Sequence, residues 1–163
     1  MGIVYNKSMI LHSKVIPTGK VLIEIRDAET GKLKSSDLAD NMFVTAGKNS
    51  LADSLRGTTA SNKGIITYCS LGTNSTAPAL GNTQLGTEIF RKLVSVRTVS
   101  ANVASFQTFF TTSEGNGTLR EAGLFGDDAS GTANSGTLFC HVAISRTKSS
   151  SDTLTLTWTI TIG

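Results

Sequence analysis

Histidine is the side chain best suited to acid–base chemistry near neutral pH, and this chain has two, His12 and His141. His141 falls on the opposite strand face from Cys140 and Val142, and no serine or cysteine nucleophile is spaced to work with it. The sequence contains no Gly-x-Ser-x-Gly, His-Glu-x-x-His or phosphate-binding-loop motif. We therefore expect His141 to be a strand-surface or partly buried residue. We predict no enzyme activity, no cofactor, and no catalytic, cofactor-binding or metal-binding residues.

The acidic residues and the cysteines are not spaced along the chain like the ligands of a known metal site. Asp127 and Asp128 lie in a glycine-rich loop and could coordinate a cation, but the spacing of a calcium loop is absent, which favours a solvated loop tip. Cys69 and Cys140 each stand in a predicted strand beside apolar neighbours. We expect buried free thiols, because a reducing cytosol disfavours disulfides. A bridge stays open as an alternative if the two strands are adjacent.

Charge and composition disfavour nucleic-acid and membrane partners. The formal net charge is +3, and the basic residues are scattered, without a run or a basic helix. No apolar stretch approaches the roughly 20 residues of a membrane span, and the start lacks the long apolar segment of a signal peptide. We expect the protein to stay in the cytosol, or to be assembled there into something larger.

The clearest structural pattern is the alternation of threonine with a large apolar residue over residues 153–162. Successive side chains of a strand point to opposite faces, so all the threonines lie on one face and all the apolar residues on the other. This pattern predicts a long, half-buried strand that lies in the middle of a sheet.

The remaining strands are shorter and are separated by turn-forming residues. Serine and threonine make up about a quarter of the chain, which is typical of a turn-rich all-β protein. The residues predict an antiparallel β-sandwich of about seven strands with one short helix. The predicted strands cover residues 21–26, 33–40, 65–72, 89–99, 103–112, 138–144 and 153–162.

One segment has the spacing of a helix. Thr45 is a plausible N-cap, Leu51 and Leu55 fall on one helical face, and Gly57 is placed to end the element. We predict a helix over residues 46–56 that packs Leu51 and Leu55 on the sheet.

Arg120 and Glu121 form an adjacent pair of opposite charges between apolar neighbours. Neighbouring strand residues face opposite ways, so each is expected to anchor a loop or a neighbouring subunit through charge-assisted hydrogen bonds. We expect both to be partly buried, so that Arg120→Ala impairs folding or assembly. Lys148→Ala is expected to do neither.

Four segments, in this order along the chain, resemble passages of bacteriophage tail-collar and tail-fibre proteins. They read NMFVTAG at residues 41–47, LGTNSTAP at 71–78, TQLGTEIFR at 83–91 and TLREAGLFGD at 118–127. The likeness covers residues 41–162 and is to the N-terminal, virion-attached module of those proteins. Two units follow from it: an N-terminal arm and hairpin at residues 1–40, and a β-sandwich virion-structural domain at 41–163.

The resemblance implies a free-standing virion structural protein, a tail, collar or fibre-attachment component that mediates protein–protein assembly. A capsid decoration (cement) protein is the alternative. Its partners would be other virion proteins near the tail, portal or capsid, and a homo-oligomer is expected, with a trimer as the first guess. Its location would be the virion, assembled in the host cytoplasm.

A subunit interface would need apolar anchors, and the candidates are Phe90, Phe125, Phe139 and Trp158. A carbohydrate-binding β-sandwich module is an alternative of a different class. Such a module would need several exposed aromatic residues on one platform, and the chain has only 1 Trp and 2 Tyr.

Overall fold

Antiparallel strands dominate the fold. A computed structural model describes residues 16–57 and 63–163 of the chain. Over these residues it contains nine strands and one helix: β1 (Pro17–Asp27), β2 (Leu33–Phe43), α1 (Thr45–Leu55), β3 (Ile66–Gly72), β4 (Glu88–Leu93), β5 (Val96–Ser100), β6 (Val103–Phe110), β7 (Gly117–Gly126), β8 (Thr137–Lys148) and β9 (Asp152–Ile162). The strands form one sheet in the order β4-β3-β7-β8-β2-β1-β9-β6-β5. The all-β prediction with one short helix is confirmed, but nine strands replace the predicted seven.

The sheet curls, so that its two halves enclose a shared core. β2 joins the halves: it pairs with β1 along most of its length and with β8 only at Met42 and Phe43. Side chains from β1, β6 and β9 meet side chains from β3, β7 and β8 in one buried cluster. Its largest fully buried members include Trp158, Phe110 and Phe139.

The strand predicted over residues 89–99 is two strands. β4 pairs with β3 at one edge of the sheet, whereas β5 pairs with β6 at the other. Val94 donates its N–H to the carbonyl of Thr67, and Ser95 donates to the carbonyl of Gln107, so the chain changes halves between these two residues. The predicted hairpin is therefore correct only for β5 and β6.

β7 is the strand that the sequence did not predict. Residues 121–127 are all buried, and the side chains on its two faces enter two separate clusters. Leu124 packs in the main core, while Phe125 packs on the other face with Val44, Leu85 and Leu138. Burial on both faces removes the alternation that marks a half-buried strand.

β9 is a central strand, as predicted, lying between β1 and β6. Leu154, Leu156, Trp158 and Ile160 are buried, and the threonines alternate with them. Ile162 is 39% exposed, so the buried stripe stops before the last of the five apolar residues.

The hairpin of β1 and β2 lies in the middle of the sheet. The sequence had assigned it to an N-terminal unit ending at residue 40. β1 pairs with β9 from Pro17 to Asp27. The chain then reverses through a turn in which Gly31 has a φ of 69°. Residues 1–15, the rest of the predicted arm, lie outside the described residues.

Helix α1 packs on β8, but not through the predicted leucines. Leu55 is 85% exposed, and the residues that the helix buries are Gly47 and Ser50. A Cβ atom on Gly47 would lie 2.6 Å from Cα of Phe139, so glycine permits the close approach. Val44 occupies the N-cap position instead of Thr45 and makes no side-chain cap, whereas Gly57 ends the helix as predicted, with a φ of 64°.

Candidate functional site

A register shift in the β7–β8 pairing lies beside the predicted Arg120–Glu121 pair. Leu119 pairs with Arg146 and Glu121 with Ala143, so the extra residue of the shift is on β8, opposite Arg120. Arg120 is exposed and donates from Nη1 to Oγ of Ser145 at 2.7 Å. Glu121 is 1% exposed. The expectation of two partly buried charges is thus wrong for Arg120.

Glu121 anchors the loop that joins β3 to β4. Its Oε1 accepts from the backbone N–H of Asn74 at 3.3 Å and of Thr87 at 2.8 Å. Its Oε2 accepts from the N–H of Gly86 at 3.0 Å and lies 3.0 Å from Nε2 of His141. A single carboxylate therefore fixes both ends of the loop through charge-assisted hydrogen bonds.

Gly72 gives the carboxylate its space. A Cβ atom at that position would lie 2.5 Å from Oε1 of Glu121 and 2.7 Å from the carbonyl oxygen of Thr87. Any other residue there would displace the carboxylate or the strand.

His141 completes the site on β8 and is 3% exposed, so the expected surface or partly buried histidine is fully buried. Its Nδ1 lies 3.0 Å from Oδ1 of Asn82, an oxygen that accepts from the N–H of Ala79 at 2.6 Å. Burial lowers the pKa of His141, while the adjacent Glu121 carboxylate acts in the opposite direction; the net pKa lies below the ordinary value. Burial thus disfavours the charged ring, although both ring nitrogens face oxygen atoms, of Glu121 and of Asn82.

A shallow cavity of about 280 Å³ opens above this pair. Polar groups of the β3–β4 loop line it, including Asn74, Thr76 and Gln84. Both carboxylate oxygens of Glu121 are already occupied by donors from the protein, so the pair holds the loop in place. Among residues 16–57 and 63–163, no three His, Cys, Asp or Glu side chains cluster closely enough to hold a metal ion.

A second buried ion pair stands beside the first site, on β4. Nη2 of Arg91 donates to Oε2 of Glu88 at 2.8 Å, and Nε donates to Oε1; both side chains are almost fully buried. The guanidinium carbon lies 4.5 Å from the ring centre of Phe125. Nη1 also donates to the carbonyl oxygens of Ser130 and Ser135, so the pair fixes the β7–β8 loop.

Three of the four aromatic anchor candidates lie in the interior. Phe125 and Trp158 are 0% exposed and Phe139 is 1% exposed, so a partner cannot reach them in this fold. Phe90 is only partly buried, and its ring centre lies 6.1 Å from that of Phe110 in an edge-to-face contact. Of the four, only Phe90 keeps surface available for a partner.

Asp127 is not a solvated loop tip. It is 4% exposed, and its Oδ1 accepts from Oγ of Ser50 at 2.7 Å and from the N–H of Gly64 at 3.0 Å. Nζ of Lys63 lies 3.3 Å from Oδ2. Burial alone would raise its pKa, but the hydrogen bonds outweigh burial and lower it. Asp127 thus ties α1 to the end of β7, while Asp128 is exposed.

Lys148 is buried, which argues against the expectation that Lys148→Ala impairs neither folding nor assembly. It is 1% exposed, and its Nζ donates to Oδ1 of Asn116 at 2.7 Å and to the carbonyls of Thr112 and Ser149 at 3.5 Å. Burial lowers its pKa, although nearby carboxylates act in the opposite direction.

Cys69 and Cys140 are buried free thiols, as predicted. Both residues pair with Leu124, from opposite sides of β7. Two strand spacings, about 10 Å, therefore separate their Cα atoms, beyond the reach of a disulfide. Burial raises the pKa of Cys69 to about 12 and that of Cys140 still further.

Exposed apolar side chains lie on both edge strands of the sheet. β4 and β5 are the outermost strands, yet only two residues separate them in the chain. Ile89, Leu93, Val96 and Val99, which we call the β4–β5 seam, are 42%, 55%, 48% and 77% exposed. Unpaired strand edges carrying apolar side chains are surfaces that other chains can join.

No protein-family model matches the chain, and no curated protein or solved structure matches it. Within the described residues, no helix has the length and apolar character needed to cross a membrane.

Some residues of the site carry a sequence signal and others carry none. Glu88, Arg91 and Glu121 all fall within the segments that resemble tail proteins, but their buried contacts depend on loop closure across separate strands. The burial of His141 and Lys148 could not be found from spacing, because each is covered by a loop distant in the chain.

Proposed function

We propose that the protein is a bacteriophage virion structural protein, a tail, collar or fibre-attachment component that acts by protein–protein assembly. The observation that carries this proposal is the contact among three of the resembling segments. The segments at residues 71–78, 83–91 and 118–127 lie on or beside β3, β4 and β7, respectively, and these three strands are neighbours in the sheet. Glu121 of the third segment holds the backbone of the first at Asn74 and of the second at Gly86 and Thr87. Residues that make the segments recognisable are thus the ones that fix the loop.

The surface chemistry supports assembly rather than capture of a small molecule. The cavity above Glu121 is shallow and its buried charges are already paired, whereas the β4–β5 seam offers apolar side chains beside free strand edges. We propose that other copies or other virion proteins dock there, with a trimer as the first oligomer to test. In this proposal the two halves of the curled sheet act as the layers of an antiparallel sandwich.

Capsid decoration is the second candidate within the same class, because a decoration protein also needs broad contact surfaces and no cleft. A carbohydrate-binding role is less well supported. Trp158, the one tryptophan, is fully buried and cannot form part of a sugar-binding platform.

The experiment is a charge substitution in the seam. Val99→Lys places a charge on the most exposed seam residue and should weaken both self-association, measured by light scattering, and incorporation into particles. Leu55→Lys is the matched control, because Leu55 is 85% exposed on α1, outside the seam. If both variants assemble like the parent, the seam is not the assembly surface.

A further inference from the structure

Asn116 makes the shortest contact of the buried Lys148. Nζ of Lys148 donates to Oδ1 of Asn116 at 2.7 Å, and Nδ2 of Asn116 donates to the carbonyl of Thr112 at 2.8 Å. Lys148 is 1% exposed, whereas Asn116 is exposed to solvent. The carboxamide is thus polarised by an ammonium group on one side and open to water on the other.

The next residue has no side chain to shield its backbone nitrogen. Asn116 and Gly117 form the one Asn-Gly pair in the sequence. Gly117 has a φ of 135°, and nothing lies within 4 Å of the position that its Cβ would occupy. Because glycine has no side chain beside its backbone nitrogen, that nitrogen can approach Cγ of the preceding asparagine with little hindrance.

We propose that Asn116 is a self-modification site, at which the chain deamidates and the new carboxylate pairs with Lys148. In the first step the backbone nitrogen of Gly117 bonds to Cγ of Asn116. The Cγ–Nδ2 bond breaks, and ammonia leaves with the proton from the Gly117 nitrogen. Water then opens the five-membered imide: cleavage of the new N–Cγ bond gives aspartate, and cleavage of the original peptide bond gives isoaspartate.

Lys148 assists the first step through its charge. Negative charge develops on Oδ1 as the tetrahedral intermediate forms, and the ammonium already donates to that oxygen. A preorganised donor aimed at a developing oxyanion lowers the barrier.

The product also relieves a cost at Lys148. In the asparagine form, the three oxygens that accept from its ammonium are all neutral. An aspartate at position 116 would place a carboxylate beside this buried charge, which favours pairing and adds a charge-assisted hydrogen bond. The aspartyl product should therefore be more stable than the parent.

Peptide mapping of the aged, purified full-length protein tests the first half of the proposal. At mildly alkaline pH the peptide with Asn116 should gain about 1 Da, ahead of the peptides with Asn74 and Asn134, each of which precedes a serine. Lys148→Met should slow the change several-fold, and Lys148→Arg, which keeps the charge, should retain it. An unmodified Asn116 would overturn the proposal, as would a loss of about 17 Da that links Asn116 to Lys148, since Lys148 would then be the nucleophile.

Thermal unfolding tests the second half. Asn116→Asp should raise Tm by about 2–4 °C, and the gain should vanish in the Lys148→Met background. A fall in Tm on Asn116→Asp substitution, or a gain that does not depend on Lys148, would contradict the pairing.

Discussion

Glu121 and His141 lie together on adjacent strands, with Oε2 of the carboxylate 3.0 Å from Nε2 of the ring, and both are almost completely buried. Three backbone N–H groups of the β3–β4 loop donate to the same carboxylate. The pair therefore couples the packing of two central strands to the conformation of a surface loop.

Replacing the carboxylate should destabilise the protein. Glu121→Gln turns one acceptor oxygen into a donor that faces backbone N–H groups, and unsatisfied buried polar groups cost about 1–3 kcal/mol. Urea unfolding should show this loss. Arg120→Gln is the matched control, because Arg120 is exposed, and it should change stability by no more than about 0.5 kcal/mol. Equal effects of the two substitutions would rule out the anchoring role of Glu121.

The stability of the protein should fall as the pH drops through the titration of His141. Its folded-state pKa lies below the ordinary value of 6.5, so the unfolded chain takes up a proton first. The stabilisation from His141 is therefore complete above pH 6.5 and is lost as the pH falls toward the folded-state pKa. Urea unfolding of the parent and of His141→Asn between pH 5 and pH 8 isolates this contribution. If the parent instead becomes more stable than His141→Asn as the pH falls, the folded state favours the charged ring of His141, with Glu121 and Asn82 accepting from its two nitrogens.

Trp158 should be one of the most costly side chains to truncate. It is fully buried in the core between the two halves of the sheet. Trp158→Ala should lower the free energy of unfolding by about 3–5 kcal/mol. Thr157→Ala, on the opposite face of β9, should cost no more than about 1 kcal/mol. A loss of that small size at Trp158 itself would contradict its place in the core.

Arg91 should not tolerate replacement by lysine. A lysine keeps the charge but loses the two-pronged contact with Glu88 and the stacking on Phe125. Arg91→Lys should cost about 1–3 kcal/mol and raise proteolysis in the β7–β8 loop. Arg97→Lys, on the fully exposed β5, provides the control. Similar protease sensitivity in the two variants would argue against the role of the Arg91–Glu88 pair in fixing the β7–β8 loop.

The sequence predicts most reliably the elements whose pattern is local. The alternation in β9 predicted both its buried stripe and its central position, and Gly57 predicted the end of α1. β7 was not predicted because both of its faces are covered over residues 121–126, so apolar and polar residues do not alternate there. Two-sided burial depends on the β3–β4 loop and α1, which lie far away in the chain.

The buried charges were misjudged for the same reason. Glu121 is buried because the β3–β4 loop and His141 of β8 cover it, whereas Arg120 stays exposed. The sequence around Lys148 is that of an exposed turn lysine. It is buried because its ammonium group donates to the carbonyl of Thr112 and to the side chain of Asn116. Such contacts form only once distant loops are in place.

Analysis of purified phage particles tests the proposed function most directly. Mass spectrometry of the particles, followed by cryo-electron microscopy, should find the chain as a stoichiometric component at the tail or collar, with the β4–β5 seam against a neighbouring subunit. A position on the capsid surface would favour the decoration alternative. Absence of the chain from particles of a phage that encodes and expresses it would contradict the proposal.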